Sequence, residues 1–210
     1  MKNEINIYTD GSCLNNPGAG GWGIVVILPD GRIEEYSKGF VLTTNSRMEM
    51  KAMYMALKYA EKHGKGEVNI YSDSNFIIQA FTKHWLDGWV KKGWKKQKNE
   101  PVANADIWKK IYPLYKKLDV NFIKVKAHSG IEYNEQVDEL ARAAAMGDEL
   151  IEDEGYIPNG EAAQTSILDS KKENNITLEN VLSNGVPSIK IKSGTKYITV
   201  PKQQLEDFIK

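Results

Sequence analysis

The chain has 210 residues, of which 41% are hydrophobic and 27% charged, and its formal net charge is zero. These values are typical of a globular protein with one domain of ordinary size and a small appendage. No apolar run approaches the roughly 18 residues that a membrane span requires, and the first residues lack the pattern of a secretory signal. A single cysteine, Cys13, cannot form an internal disulfide, which predicts a protein of the reducing cytoplasm without a membrane partner.

Three strands are predicted at the start of the chain. Apolar and polar side chains alternate in residues 5–10, which is typical of a half-buried strand, and Asp10 stands at its end. Two β-rich runs, residues 21–28 and 32–40, flank an Asp-Gly dipeptide, which is a strong hairpin signal. The three strands are therefore expected to be antiparallel.

Helices and two further strands follow. A helix is predicted from about residue 47 to 63, because Ser46 and Glu49 fit a capping box at its start. The later patterns are a strand, interrupted helices, a strand and an alanine-rich helix, at residues 67–74, 76–118, 120–130 and 134–146. This order predicts an α/β fold with a five-stranded mixed sheet, three antiparallel strands and then parallel ones, flanked by helices.

The residue composition of the sequence changes after residue 147. Residues 148–184 are largely acidic and polar, which indicates a linker, partly disordered. Residues 185–210 carry two short strand patterns around a Ser-Gly turn and a final helical turn, a ββα-like module too small to be stable alone. We therefore expect a main domain over residues 1–147 and a module that docks on it, contacts nucleic acid or dimerises; a monomer is the expected state.

A basic segment with interleaved tryptophans stands out in the charge distribution. Residues 83–98 hold six lysines and one acidic residue. Lysines release counterions when they bind phosphates, and aromatic faces stack on sugars or bases. Alternatively, Trp85 and Trp89, one helical turn apart, belong to the core and the lysines form a solvated face, but their excess favours a polyanion. The residues that this segment offers to such a ligand are Trp85, Trp89, Lys91, Lys92, Trp94, Lys95 and Lys96.

Four acidic residues stand near the ends of predicted elements: Asp10, Glu49, Asp73 and Asp138. Each has an ordinary explanation alone, as a turn or capping residue. A parallel arrangement of the first and fourth strands would bring Asp10 and Asp73 together at the sheet edge where α/β folds bind ligands. Clustered carboxylates need a cation, and Mg²⁺ or Mn²⁺ suits oxygen ligands. Two such ions support phosphodiester cleavage.

Five segments of the sequence resemble the successive signature segments of bacterial type 1 ribonuclease H with its basic protrusion. They keep order and spacing over residues 3–147 and read YTDGSCLNNPGAGGWG, TTNSRMEMKAM, YSDSNF, GWKKQKNEPVANADIW and KAHSGIEYNEQVDELARAAA. The resemblance implies a ribonuclease H fold and an endoribonuclease that hydrolyses the RNA strand of an RNA–DNA hybrid. It also implies two Mg²⁺ ions, with Mn²⁺ as a substitute, and products with 5′-phosphate and 3′-hydroxyl ends. The C-terminal extension lies outside the resemblance.

The resemblance also implies roles for individual residues. The four metal-binding carboxylates correspond to Asp10, Glu49, Asp73 and Asp138, and His128 corresponds to a histidine that assists proton transfer or product release. The minor-groove contacts of the hybrid correspond to Cys13, Asn16, Asn45 and Asn75. The DNA-phosphate pocket corresponds to Thr44 and Asn104. Turn formation and helix capping are the alternative explanations of Asn16 and Asn45. The sequence departs from the family at Leu42, where relatives often carry arginine, and at Ser46, where they often carry Asn or Gln.

Two other classes of function compete with this interpretation. One is a module that binds hybrids without cutting them, which the presence of all four acidic residues disfavours. The other is a different nuclease or a transposase on the same fold, which should lack the basic protrusion and the KAHSG segment.

Overall fold

The structure is a computed structural model that describes residues 4–127, 129–157, 176–183, 186–193 and 196–201. The chain divides into two units, Met1–Ala163 and Gln164–Lys210. Among the helices in the described ranges, none is both long enough and apolar enough to cross a membrane.

A mixed sheet forms the centre of the first unit. Its strands lie in the order β5-β4-β1-β2-β3-β6. The pairs β1–β2 and β2–β3 are antiparallel, and β1–β4, β4–β5 and β3–β6 are parallel. The predicted hairpin and α/β fold are confirmed, and the short β6 adds a sixth strand. The bounds are β1 Glu4–Cys13, β2 Gly18–Ile27, β3 Ile33–Thr43, β4 Glu67–Ser72, β5 Asn121–Lys124 and β6 Leu150–Ile151.

The described part of the first unit contains five α-helices. They are α1 Asn45–His63, α2 Asn75–Thr82, α3 Trp85–Lys91, α4 Ala105–Lys117 and α5 Glu132–Met146, with a 3-10 turn at Gln97–Asn99. The predicted helix after β3 is confirmed, but its predicted capping box is wrong. Thr44 is the N-cap and accepts a hydrogen bond from the backbone N–H of Arg47, so Ser46 lies within the first turn.

The two faces of the sheet carry different helices. The core side chains Trp22, Ile24 and Val26 of β2 belong to the same cluster as the buried residues of α1. On the other face, a Cβ at Gly21 would lie 2.5 Å from the Ala141 carbonyl oxygen of α5, so only glycine lets the backbones approach this closely. The sheet therefore lies between α1 and α5.

The first unit extends past the predicted domain end at residue 147. Leu150 and Ile151 form β6 beside Gly39 and Phe40 of β3, and Asp153 is buried. The predicted linker is thus wrong over residues 150–153, because strand pairing and a buried carboxylate hold them on the domain. Its residues 158–175 lie outside the described residues.

The second unit contains an antiparallel sheet of three strands. These are β7 Ile176–Ser183, β8 Val186–Ser193 and β9 Lys196–Pro201, in the order β7-β8-β9. The two predicted strands correspond to β8 and β9. β7 falls in the predicted linker, so that part of the prediction is wrong, because β7 pairs with β8 along its whole length. The predicted terminal helical turn, residues 202–210, lies outside the described residues.

Candidate active site

The parallel pairing of β1 and β4 sets two of the acidic residues side by side. The last register pair of these strands is Thr9 with Ser72. Asp10 and Asp73 are the next residues, so both lie where the β1–β4 pairing ends; Asp73 follows β4, whereas β1 continues beside β2 to Cys13, so the prediction that the first strand ends at Asp10 is wrong. The pairing that the sequence pattern implied is therefore present.

Glu49 approaches the same edge because β1 contacts α1 directly. A Cβ at Gly11 would lie 2.1 Å from the backbone nitrogen of Glu49. No side chain fits this contact, so glycine is what allows the second turn of α1 to sit against the strand beside Asp10.

Asp138 is placed by α5 on the other face of the sheet. Gly23 of β2 is the register partner of Asp10, and a Cβ at Gly23 would lie 3.1 Å from the Val137 carbonyl oxygen. Because Asp138 follows Val137, the close packing of α5 on β2 brings its carboxylate to the edge that Asp10 occupies.

Asp10 is coupled electrostatically to the other three carboxylates. Burial raises the pKa of Asp10 to about 8, and the charges of Asp73, Asp138 and Glu49 add to the rise, while the Gly11 amide opposes it. Burial also raises the pKa of Glu49, and the Asp73 charge contributes. A cation at this edge would relieve the repulsion.

The donor chemistry fits a hard divalent cation, since all four side chains offer carboxylate oxygens. In the part of the chain that the structure describes, no group of three or more His, Cys, Asp or Glu side chains is yet arranged to hold a metal ion. The case for a metal ion at this edge therefore rests on the chemistry of the four side chains.

Both oxygens of Glu49 have hydrogen-bond donors. The Asn45 side-chain amide donates to Oε1 at 2.9 Å, and the Ser74 hydroxyl donates to Oε2 at 2.7 Å. Asn16 Oδ1 in turn accepts from the backbone N–H of Asn45 at 3.1 Å. Asn16 therefore binds the first backbone N–H of α1 from a distant loop, while Asn45 binds a carboxylate and does not cap the helix.

The other two predicted minor-groove residues border this cluster. Asn75 is exposed and begins α2 immediately after Ser74. The Cys13 thiol lies at the end of β1, 3.4 Å from the Thr43 carbonyl oxygen, and burial raises its pKa. Asn45 and Asn16 are therefore linked to Glu49 by hydrogen bonds, whereas Asn75 follows its partner Ser74 and Cys13 contacts the end of β3.

The basic segment forms a separate surface with a cavity of about 670 Å³, lined by His84, Trp85, Gly88, Trp89, Lys92, Lys95, Lys96, Lys98 and Glu100. Trp89 packs against the buried Trp108, with 5.6 Å between ring centroids. Trp85, Trp89 and Trp94 are only half-buried. All three rings pack against the hydrophobic core, which supports the alternative interpretation of Trp85 and Trp89, and their contact with nucleic acid stays a prediction. Lys91, Lys92, Lys95 and Lys96 are exposed.

Arg47 brings the two predicted phosphate contacts together. Its Nη1 donates to Asn104 Oδ1 at 3.3 Å, and its backbone N–H donates to Thr44 Oγ1 at 3.4 Å. Asn104 precedes α4 and Thr44 precedes α1, so two helix starts meet at this point.

A model of the RNase H family matches residues 2–146. The chain belongs to the RNase H family. The ribonuclease H of Aeromonas salmonicida (strain A449) is 46% identical over 158 residues, which cover 75% of this chain and 100% of that protein. The ribonuclease H of Syntrophomonas wolfei subsp. wolfei is 48% identical over 141 residues, 67% of this chain and 95% of that protein. The match makes this chain an enzyme of the ribonuclease H type.

Solved RNase H structures share the fold. LC9-RNase H1, a type 1 RNase H with the type 2 active-site motif, is 27% identical with a TM-score of 0.61, covering 70% of this chain and 74% of that chain. LC11-RNase H1, solved in complex with an RNA/DNA hybrid, is 26% identical with a TM-score of 0.53, covering 68% of this chain and 96% of that chain.

Three residues of this RNase H site were missed by the sequence analysis. Ser74, Arg47 and Asp153 act on predicted site residues or on one another through side-chain hydrogen bonds. Ser74 is the N-cap of α2, a position that the interrupted helical pattern did not resolve. His128 lies outside the described residues.

Proposed function

We propose that this RNase H is an endoribonuclease that hydrolyses the RNA strand of RNA–DNA hybrids and leaves 5′-phosphate and 3′-hydroxyl ends. The observation that carries the proposal is the convergence of Asp10, Glu49, Asp73 and Asp138 at one sheet edge, where burial and mutual repulsion raise the pKa of Asp10 to about 8. The substrate is supported by LC11-RNase H1, whose solved complex contains an RNA/DNA hybrid.

The four carboxylates are the residues that would hold the metal. Two bound Mg²⁺ ions, with Mn²⁺ as a substitute, would activate the attacking water and stabilise the leaving oxygen. Asn45 and Ser74 orient Glu49 by donating to both of its oxygens. His128 assists proton transfer, since the ordinary histidine pKa of about 6.5 suits proton exchange near neutrality.

Substrate recognition follows from the groups around Glu49. The Asn45 NH₂ group binds Glu49 and the Asn16 Oδ1 binds Asn45, which leaves the Asn45 oxygen as an acceptor and the Asn16 NH₂ group as a donor. A ribose 2′-hydroxyl needs one of each, and it distinguishes RNA from DNA. Cys13 and Asn75 extend this minor-groove contact.

The DNA strand is held by two further surfaces. Thr44 and Asn104 contact one DNA phosphate. The basic surface contacts the backbone beyond it through half-buried rings and exposed lysines. The residues that we assign to the basic surface are Trp85, Trp89, Lys91, Lys92, Trp94, Lys95 and Lys96.

A cleavage assay tests the proposal. End-labelled RNA–DNA hybrid, double-stranded RNA and double-stranded DNA are incubated with the full chain in Mg²⁺ or in EDTA. We expect Mg²⁺-dependent cleavage of the hybrid alone, and its loss in Asp10→Asn. Asp119→Asn is the matched control, because Asp119 is exposed and precedes β5 at the opposite edge of the sheet.

Other outcomes of this assay identify the competing functions. Hybrid binding without cleavage in Mg²⁺ would indicate a binding module, and cleavage of double-stranded DNA would indicate another nuclease. Full activity in Asp10→Asn would move the catalytic site elsewhere.

We further propose that the enzyme acts as a monomer in the cytoplasm, where Cys13 stays reduced. All the site residues that the structure describes belong to the first unit, so one chain supplies them. Light scattering should give the 23.7 kDa mass of a single chain. Twice that mass would contradict the monomer and would favour dimerisation through the second unit.

A further inference from the structure

A buried ion network lies beside the phosphate contacts. Arg47 is 2% exposed. Its Nη1 and Nη2 donate to the two oxygens of Asp106 at 3.0 and 2.8 Å, and its Nε and Nη2 donate to the two oxygens of Asp153 at 2.8 Å each. The fifth bond runs from Nη1 to Asn104 Oδ1. A guanidinium has five N–H donors, so every donor of Arg47 is engaged.

Asp153 anchors this network from beyond the residues that the family model matches. Its side chain is 0% exposed and also accepts from the Thr43 hydroxyl at 2.7 Å and from Lys51 at 3.1 Å. Burial alone would raise the pKa of Asp153, but hydrogen bonds from Arg47 and Thr43 and the charges of Arg47 and Lys51 hold it below its usual range. Asp153 is therefore an anion at neutral pH and fixes the guanidinium.

The Asn104 side chain has an orientation that helix capping does not explain. Asn104 is the N-cap of α4 with a left-handed backbone at φ 55°, and its side chain makes no capping hydrogen bond. Only the oxygen of an amide accepts from arginine. Since Oδ1 is bound to Arg47, the NH₂ group is the part of Asn104 that remains to donate to a ligand oxygen.

Thr44 offers a matching donor. Its Oγ1 accepts from the Arg47 backbone N–H, which leaves the hydroxyl hydrogen to donate. Both predicted phosphate contacts are thus set as donors by the same arginine, one by its side chain and one by its backbone.

We propose that Asp153 is a positioning residue for the nucleic-acid phosphate pocket, acting through Arg47 to fix the Asn104 amide as a donor. The inference rests on the proposed function and deepens it. The segment after α5, which sequence patterns indicate to be a linker, becomes part of the substrate site.

A double-mutant cycle tests this coupling. The dissociation constant of a labelled RNA–DNA hybrid is measured by fluorescence anisotropy in EDTA for the full chain and for Asp153→Asn, Asn104→Ala and the double variant. Removing one hydrogen bond to a phosphate should weaken binding by about three- to tenfold. If Asp153 acts through Asn104, the double variant binds as Asn104→Ala does, within about twofold.

The controls separate positioning from stability. Leu57→Ala removes a fully buried side chain of α1 that lies outside the network, so it should destabilise the fold and leave the dissociation constant unchanged. Arg47→Lys keeps the positive charge but lacks the donor to Asn104, and it should reproduce the Asn104→Ala loss. If Asp153→Asn does not fold, Arg47→Lys takes its place in the double-mutant cycle with Asn104→Ala.

The outcomes are distinct from those of the proposed function. Hybrid affinity at the wild-type level in Asp153→Asn or Arg47→Lys, or losses that multiply in the double variant, would overturn the positioning role while wild-type cleavage of the hybrid stands. A wild-type chain that neither binds nor cleaves the hybrid would overturn both.

Discussion

Replacing Asp153 by alanine should destabilise the first unit strongly. The side chains of Asp153 and Arg47 are 0% and 3% exposed, and the substitution removes both hydrogen bonds between them. Breaking a buried ion pair from one side costs about 3–5 kcal/mol. Because Arg47 keeps its two bonds to Asp106, we expect the lower end, about 3 kcal/mol at pH 7.

The loss should depend on pH in a defined direction. The pKa of Asp153 is lowered in the folded chain, so its charge stabilises the fold above the unfolded value of about 3.9 and that contribution is lost as pH falls towards the folded value. The difference in unfolding free energy between wild type and Asp153→Ala should therefore be constant from about pH 5 to pH 7 and shrink below about pH 4.

Urea titration followed by tryptophan fluorescence measures this difference. The tryptophans all lie in the first unit, at positions 22, 85, 89, 94 and 108, so the signal reports that unit alone. Asp30→Ala is the control, since the Asp30–Arg32 pair has the same chemistry at 2.7 Å but side chains 54% and 71% exposed. A loss in Asp153→Ala no larger than in Asp30→Ala, or a loss independent of pH down to pH 3, would refute the reasoning.

Three further predictions concern binding, catalysis and the domain end. Replacing Lys91, Lys92, Lys95 and Lys96 together by alanine should raise the Michaelis constant for the hybrid. It should also reduce the slope of log KM against log salt concentration by about 3, and an unchanged slope would refute the role of these lysines. Ser74→Ala should lower kcat by about three- to tenfold with KM unchanged, because Glu49 loses a donor; Ser37→Ala, at an exposed position, is its control. A chain ending at residue 163 should unfold at the same urea concentration as the first unit of the full chain. A chain ending at residue 147 lacks Asp153 and should unfold at a lower urea concentration. Equal unfolding midpoints for the two truncated chains would support the predicted domain boundary at residue 147.

The sheet and the acidic edge were predictable because they follow from local patterns and strand direction. Alternation identified β1, and the Asp-Gly turn identified the hairpin. Parallel pairing of β1 and β4 then places Asp10 beside Asp73 without any information on side-chain packing. The close approach of Glu49 depends on Gly11, which a sequence shows only as one glycine among 17.

The capping and linker predictions failed because local patterns do not specify tertiary partners. Thr44 and Ser46 are both acceptable N-caps, and the backbone at Thr44 decides between them. Glu152, Asp153 and Glu154 form an acidic run that is typical of an exposed linker. What buries Asp153 is Arg47, 106 positions earlier in the chain, and no periodicity signals a partner at that separation.

The chemistry of the phosphate pocket predicts how salt acts on it. In this part of the structure the donors of Arg47 are engaged by Asp106, Asp153 and Asn104, and Leu42, two residues before Thr44, is apolar and 41% exposed. The two proposed phosphate contacts of this pocket, Asn104 and Thr44, are therefore a neutral amide and a neutral hydroxyl. Neutral donors release no counterions, so Asn104→Ala should weaken hybrid binding by the same factor at low and high salt.

Adding a cation at this point should reverse that behaviour. Leu42→Arg should tighten binding at low salt and steepen the plot of log dissociation constant against log salt by about one, the release expected for one phosphate contact. Anisotropy titrations across a series of salt concentrations measure both slopes. A slope that falls in Asn104→Ala by as much as in a single lysine variant would show that the pocket acts through charge, and that a cation other than Arg47 reaches the phosphate.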